Sequence, residues 1–267
     1  MKLLSLNVAM FEANNESISD FLSKRNFDIV CLQEVTEKID ASADPIYISK
    51  NAIDSVTKDL THSVFTPTLP LKEFHTKGFH QKESFDFEFG GQINVGNYLK
   101  TRFKTINEEI VMVKGYSEAK MASLLSFPEN QIRSIQIVDL ELPDNKKARI
   151  INYHGIWTKE KLGNEFTLSA CRKILEKAKE VNYPTIITGD FNLFPDTVSM
   201  QMFYKDFTSL VDKYHISTTR PNHNELSHLE RNVVDYILVS KNVKVNNFEV
   251  LESTISDHLP LILDFEI

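Results

Sequence analysis

Short apolar runs that end on a side chain capable of chemistry recur along this chain, and they require a fold with many strands. Lys2-Leu3-Leu4-Ser5-Leu6 runs into Asn7, and Asp28-Ile29-Val30-Cys31-Leu32-Gln33 runs into Glu34. Ala148-Arg149-Ile150-Ile151-Asn152-Tyr153 leads to His154. Thr185-Ile186-Ile187 leads through Thr188-Gly189 to Asp190-Phe191-Asn192. There a carboxylate and a carboxamide, two residues apart on extended backbone, share one side. Val233-Val234-Asp235-Tyr236-Ile237-Leu238-Val239 holds one carboxylate inside an apolar strand, and Ser256-Asp257-His258 precedes Leu259-Pro260-Leu261-Ile262-Leu263.

The pattern between these runs predicts strands near 2–8, 28–33, 62–66, 96–103, 109–114, 132–142, 148–154, 184–190, 233–239, 243–250 and 260–266. Helical spacing is predicted near 15–25, 48–60, 165–181 and 197–213. The clearest is 165–181, where Phe166, Ala170, Ile174 and Ala178 recur every fourth residue and Pro184 stops continuation. Many strands with interspersed helices point to an α/β architecture, two sheets face to face with helices outside. The chemical groups span both halves, so a single catalytic domain over residues 1–267 is expected.

A net charge of −7 argues against a general electrostatic grip on a long nucleic-acid backbone, although a local basic rim is invisible in that total. Met1 leads at once into the first apolar run, with no secretory leader, and no run approaches a membrane span. Two cysteines make no disulfide framework. A cytoplasmic protein without a transmembrane segment or an obligate protein partner is the expectation.

In order, the motifs read LNV, LQEV, NYHG, GDFN, VDYILVS and SDHLP. Their order and content resemble the endonuclease/exonuclease/phosphatase superfamily of metal-dependent phosphoesterases. That superfamily includes deoxyribonucleases, abasic-site endonucleases, tyrosyl-DNA phosphodiesterases, sphingomyelinases, inositol polyphosphate phosphatases and poly(A) deadenylases. The resemblance implies a four-layer α/β sandwich of two mainly antiparallel sheets flanked by helices. It would gather Asn7, Glu34, His154, Asp190, Asn192 and the Asp257-His258 loop at one edge. Two departures stand out: Tyr153 precedes His154 where a Thr or Ser is usual, and Thr101 replaces the usual Ser in the strand near 96–103.

Phosphate esters resist attack because their oxygens are negative; catalysis must shield that charge and supply a nucleophile. Mg²⁺ suits the first task, with Mn²⁺ as a substitute, since it takes carboxylate and amide oxygens. By resemblance Glu34 is the main metal carboxylate, with Asn7 beside it and Asp257 as a further ligand. His258 is expected as the general base or as the group that steadies the pentacovalent phosphorus. Asp235, buried by its apolar neighbours, would orient it. Asp190 would orient or deprotonate the attacking water, while Asn192 and His154 would donate to phosphate oxygens.

Two segments fall outside the motifs, and loops of this kind carry selectivity. Residues 74–92 contain Phe79 and Phe85, with Phe85, Phe87 and Phe89 alternating as in a strand. Residues 215–232 contain Arg220 and His223, which either clamp a second phosphate or belong to a plain surface loop. Trp157 either stacks on a base or caps the core, and Tyr98, Lys100 and Arg102 either face substrate or form a solvated strand face. The substrate expected is a phosphate ester, first a phosphodiester of nucleic acid or a nucleotide derivative. An inositol, lipid or other small phosphate is the alternative enzyme reading, and an inactive binding module of the same fold is the third.

Overall fold

A computed structural model describes residues 1–9, 15–38, 49–77, 86–114, 133–158, 160–221 and 231–267. The apolar runs become strands: β1 (Lys2–Asn7), β2 (Ile29–Lys38), β3 (His62–Lys77), β4 (Asp86–Thr101), β5 (Lys104–Lys114) and β6 (Arg133–Glu141). They continue with β7 (Lys147–Tyr153), β8 (Thr185–Asp190), β9 (Phe207–Ser209), β10 (Asp235–Ser240), β11 (Lys244–Val250) and β12 (Leu261–Glu266). Two six-stranded sheets result, ordered β11-β12-β1-β2-β4-β3 and β5-β6-β7-β8-β10-β9. Among the described strands only the β1–β2 and β7–β8 pairs are parallel, so the sheets are mainly antiparallel, as expected.

Strand alternation sorts the apolar residues between layers. Leu3, Ile29, Cys31 and Leu99 of the first sheet share one buried cluster with Ile135, Ile137 and Ile187 of the second. Leu4, Leu6, Val30, Leu32 and Tyr98 turn the other way. They cluster with Ile18, Phe21 and Leu22 of α1 (Asn15–Ser23) and with Ile53 of α2 (Lys50–Val56). On the second sheet lies α3 (Glu165–Lys179), which buries Ala170, Cys171, Ile174 and Ala178. Asn164 starts this helix: its Oδ1 accepts from Phe166 N at 2.9 Å and Thr167 N at 3.1 Å, while Thr167 Oγ1 accepts from Asn164 N at 2.8 Å. Phe166, placed on the apolar stripe by spacing, is exposed at the helix start.

Two expectations are corrected. The helix foreseen over 197–213 is two single turns, Val198–Gln201 and Leu210–Lys213, separated by β9, because Phe207–Ser209 finds a partner edge in β10. The strands foreseen at 62–66 and 96–103 are present but extend further, as the ends of a long β3–β4 hairpin away from its connection, with Phe74 opposite Phe89 and Thr76 opposite Phe87. Phe79, Phe85 and His223 lie outside the described residues.

The interior is not wholly apolar. Gln33 of β2 donates across the sandwich to Asn152 Oδ1 of β7 at 2.7 Å. Asn152 Nδ2 donates to Gln136 Oε1 at 3.0 Å and Leu32 O at 3.2 Å. Gln136 Nε2 returns to the first sheet, donating to Val64 O and Thr66 Oγ1, both at 2.9 Å. These amides are fully buried. Among the described residues Gln33 Oε1 finds no partner, so the bonds that are made matter the more, because each further orphaned buried group costs its full desolvation. Asn152→Ala removes the partner of both Gln33 Nε2 and Gln136 Oε1. It should lower unfolding stability by on the order of 3 kcal/mol in urea titrations; a change within about 0.5 kcal/mol, the range of an indifferent substitution, would show the network to be ornamental.

Candidate active site

Local backbone choices bring the polar strand ends together. A register shift between Leu32 and Val35 interrupts β2, and Glu34 sits in the shift with φ 62°. A bulge re-aims a side chain, and a non-glycine residue in the left-handed region persists only where its surroundings hold it. Asn192 has φ 55°, which Asn tolerates better than most residues. Gly189 is required twice over: its φ is +133°, and an added Cβ would fall 2.0 Å from Tyr153 O. Asp190 ends β8 directly opposite Asp235 at the start of β10.

The side chains then interlock. Asn7 Nδ2 donates to Glu34 Oε1 at 3.2 Å and to Asp190 Oδ2 at 3.1 Å, joining the two sheets. Asp190 Oδ1 accepts from Asn192 N at 2.8 Å, and Asp190 Oδ2 accepts from Asn192 Nδ2 at 3.2 Å. His154 Nε2 lies 3.6 Å from Glu34 Oε1 and 3.7 Å from Asp190 Oδ2. His258 Nδ1 lies 2.9 Å and 3.0 Å from the two Asp235 oxygens, while its Nε2 is 3.6 Å from Asp190 Oδ2. Arg220 contacts His258 Nε2 and donates to Asp257 Oδ2 at 2.5 Å. Thr219 Oγ1 accepts from the backbone of Val234 and Asp235, and Ser256 Oγ donates to Asn7 O at 2.7 Å.

Charge is finely divided here. Burial opposes ionisation of Asp190, yet His258, His154, Lys161 and Arg220 outweigh it and hold the carboxyl down at about 2. Burial and Arg220 push the His258 imidazole down, but Asp235, Asp257 and Asp190 together raise it to about 8. His154 goes the other way: burial and Arg133 lower it well below its ordinary value, so it is a neutral imidazole. Burial, with the charges of Asp257 and Asp190, raises the Glu34 carboxyl.

Residues 134–258 match the model of the Endonuclease/Exonuclease/phosphatase family. The fold is the one seen in solved endonuclease/exonuclease/phosphatase structures. An endonuclease/exonuclease/phosphatase from Beutenbergia cavernae aligns over 100% of this chain and 71% of its own, at 13% identity and TM-score 0.76. Mannosyl-6-phosphatase from Bacteroides thetaiotaomicron covers 100% of both chains at 17% identity and TM-score 0.65. TDP2 from D. rerio, solved with a single-strand DNA product, covers 100% of this chain and 99% of its own at 14% identity and TM-score 0.65. No curated protein matches by sequence. The family match takes in His154, Asp190, Asn192, Asp235 and His258 but not Asn7 or Glu34; the fold adds those two.

The donor set fits a divalent cation: Glu34, Asp190 and Asp257 bring carboxylates to one place, and Asn7 bridges Glu34 and Asp190. Asn7 presents Nδ2 to the carboxylates while its Oδ1 accepts from Ala9 N at 3.0 Å, so its amide must turn before it ligates. Asp190, Asp235 and His258 also offer ligand atoms within 4.8 Å of one another. There Asp235 engages Nδ1 and Arg220 contacts Nε2, so both ring nitrogens are already occupied in this arrangement.

Of the substrate-facing residues expected from sequence, Arg220 reaches the centre of the site and Trp157 stands beside it, its ring 5.0 Å from Lys161 Nζ. Tyr98 does not. It is fully buried on the helix-covered face, its hydroxyl donating to Asp54 Oδ1 at 2.5 Å, because strand alternation opposite Leu32 turns it toward α2. Lys100 joins the same Asp54, and Arg102 pairs with Asp28 and Asp59. Sequence reasoning missed Lys161, which sits in a Lys-Glu-Lys stretch that reads as a wet loop, and Arg133, whose Nε donates to Gly155 O at 2.7 Å. No helix among the described residues is long and apolar enough to cross a membrane.

The raised His258 carries a stability consequence. A folded value of about 8 against an ordinary 6.5 means its contribution is complete below pH 6.5 and lost as pH rises through 8. Asp235→Asn should therefore lower the imidazole titration in proton NMR of the metal-free protein and flatten the loss of stability across that window. An unchanged titration would show that Asp235 does not hold the imidazole.

Proposed function

We propose that this chain is a Mg²⁺-dependent phosphoesterase that hydrolyses a phosphodiester, in nucleic acid or a nucleotide derivative, by attack of water. The observation that carries the reading is the convergence of Asn7, Glu34 and His258 from the first sheet and its loops on His154, Asp190, Asn192 and Asp235 from the second. Glu34 and Asn7, with Asp257 in reach, would hold the cation, which shields the charge of the phosphoryl oxygens.

The remaining roles follow from protonation. Asp190, held ionised, accepts a hydrogen bond from the attacking water and fixes its direction. Once Arg220 withdraws from Nε2, Asp235, Asp257 and Asp190 hold His258 as an imidazolium at neutral pH and its Nε2 donates to the phosphoryl group; of its two expected roles, this supports steadying the pentacovalent phosphorus over acting as base. Asp235 keeps the imidazole turned and charged. His154, neutral, and Asn192 donate to non-bridging oxygens, where charge accumulates in the transition state. Arg220 must leave His258 Nε2 for the phosphate to arrive, and its guanidinium is then free to bind a substrate oxygen.

A phosphomonoester is the second reading. Lys161 and Arg220 add two cations to the pair of histidines, enough to receive a dianion, and the net charge of −7 does not favour a long polyanion. Initial rates on bis(p-nitrophenyl) phosphate and p-nitrophenyl phosphate separate the two. The diester should be turned over faster, activity should vanish in chelator, and Mg²⁺ or Mn²⁺ should restore it. Full activity after metal stripping would overturn the cation's role, and no turnover of either ester would favour a binding module.

His258→Ala should reduce kcat by at least ~10²-fold, the loss expected for a proton-donating side chain, and should lower the melting temperature by leaving Asp235 buried without its partner, so rates are compared well below the unfolding transition. A loss under about threefold, far short of that range, would remove His258 from the chemistry.

A further inference from the structure

Lys161 is a buried cation at this edge to which the phosphodiester mechanism above gives no step. It is 7% exposed, and its Nζ donates to Asn192 Oδ1 at 2.5 Å. The backbone is built to put it there. Phe194 N, from the turn that follows Asn192, donates to Lys161 O at 3.0 Å, and Lys161 N donates to Thr158 O at 3.1 Å. Lys161 itself holds φ 56°, a left-handed conformation that a non-glycine residue keeps only under constraint. The Trp157 ring, 5.0 Å from Nζ, borders the ammonium.

The distances decide what this lysine does. The oxygen end of the Asn192 amide is held by a short charged contact of 2.5 Å. The nitrogen end makes two long ones, 3.2 Å to Asp190 Oδ2 and 3.4 Å to Gly155 O. One end is therefore anchored and the other is ready to change partner. A group that must hand an N–H to a phosphoryl oxygen needs this asymmetry, because the amide plane stays fixed while the weak bonds are exchanged. A cation on Oδ1 also polarises the amide and strengthens its N–H as a donor.

We propose that Lys161 is the positioning residue of Asn192, locking the amide so that Nδ2 faces the phosphoryl oxygen. The proposal rests on the phosphoesterase reading above. Lys161 touches no reacting atom; its effect passes through the Asn192 side chain. Asp190 cannot replace it, since the Asp190 carboxylate engages the attacking water and grips only the nitrogen end of the amide.

A double-mutant cycle tests this, using wild type, Lys161→Met, Asn192→Ala and the double variant on bis(p-nitrophenyl) phosphate with Mg²⁺. Melting curves and the Asn192 side-chain amide resonances of the substrate-free proteins accompany it. Lys161→Met should lower kcat about tenfold with KM nearly unchanged, and cost less than about twofold once Asn192 is Ala. It should also shift the Asn192 amide resonances, and Lys161→Arg should recover part of kcat. A tenfold loss in both backgrounds would place Lys161 on the substrate itself and overturn the proposal. So would an unmoved Asn192 resonance, or a fall in melting temperature with kcat intact. If wild type turns over no ester, the phosphoesterase reading fails and takes the lysine's catalytic role with it, while the resonances still decide the Lys161–Asn192 bond.

Discussion

The hydrogen bond from Gln33 to Asn152 joins the two sheets directly beneath the site, and the rest of the arrangement depends on it. Gln33 immediately precedes Glu34, and Asn152 stands two residues before His154. Apolar contacts between sheets are tolerant of sliding, because dispersion and burial have little directionality. A buried amide pair is not, since a shift of one ångström leaves donor and acceptor unpaired at a cost of about 1–3 kcal/mol per group. The amide layer of Gln33, Asn152, Gln136 and Asn97 thus fixes where one sheet stands against the other. That registration lets Asn7, from the first sheet, bridge Glu34 and Asp190 across both.

Above this layer the site is an exercise in unequal protonation. His154 and His258 are both buried within 4 Å of Asp190, yet they hold different charge states. His154 has Arg133 and Lys161 in its surroundings and stays neutral; His258 has Asp235, Asp257 and Asp190 and becomes charged. Two imidazoles of opposite habit around one ionised carboxylate give a site both neutral and charged donors at a single pH.

Much of this was legible in the sequence. The apolar residues around Asp235 announced a buried carboxylate that needed a partner, and His258 is that partner. Asp190 and Asn192 were readable as a pair, though not on one extended strand: β8 ends at Asp190 and Asn192, at φ 55°, folds back onto its carboxylate; the interspersed strands and helices gave the two sheets. What was not legible depends on partners distant in sequence. Tyr98 turns toward α2 because its register with Leu32 says so. Residues 207–209 form a strand only because β10 offers an edge. Glu34 is aimed by a bulge in a Gln-Glu-Val sequence with no glycine to mark it. Lys161 looks like loop charge until the turn after Asn192 is folded against it.

The most direct measurement is a crystal structure of the protein soaked with Ca²⁺, as an inert stand-in for Mg²⁺, and a phosphodiester. The account predicts the cation on Glu34 and the phosphorus between His154, Asn192 and His258, with Arg220 withdrawn from His258 Nε2. A cation seated instead among Asp190, Asp235 and His258, or a phosphate bound away from Asn192 and His258, would contradict it.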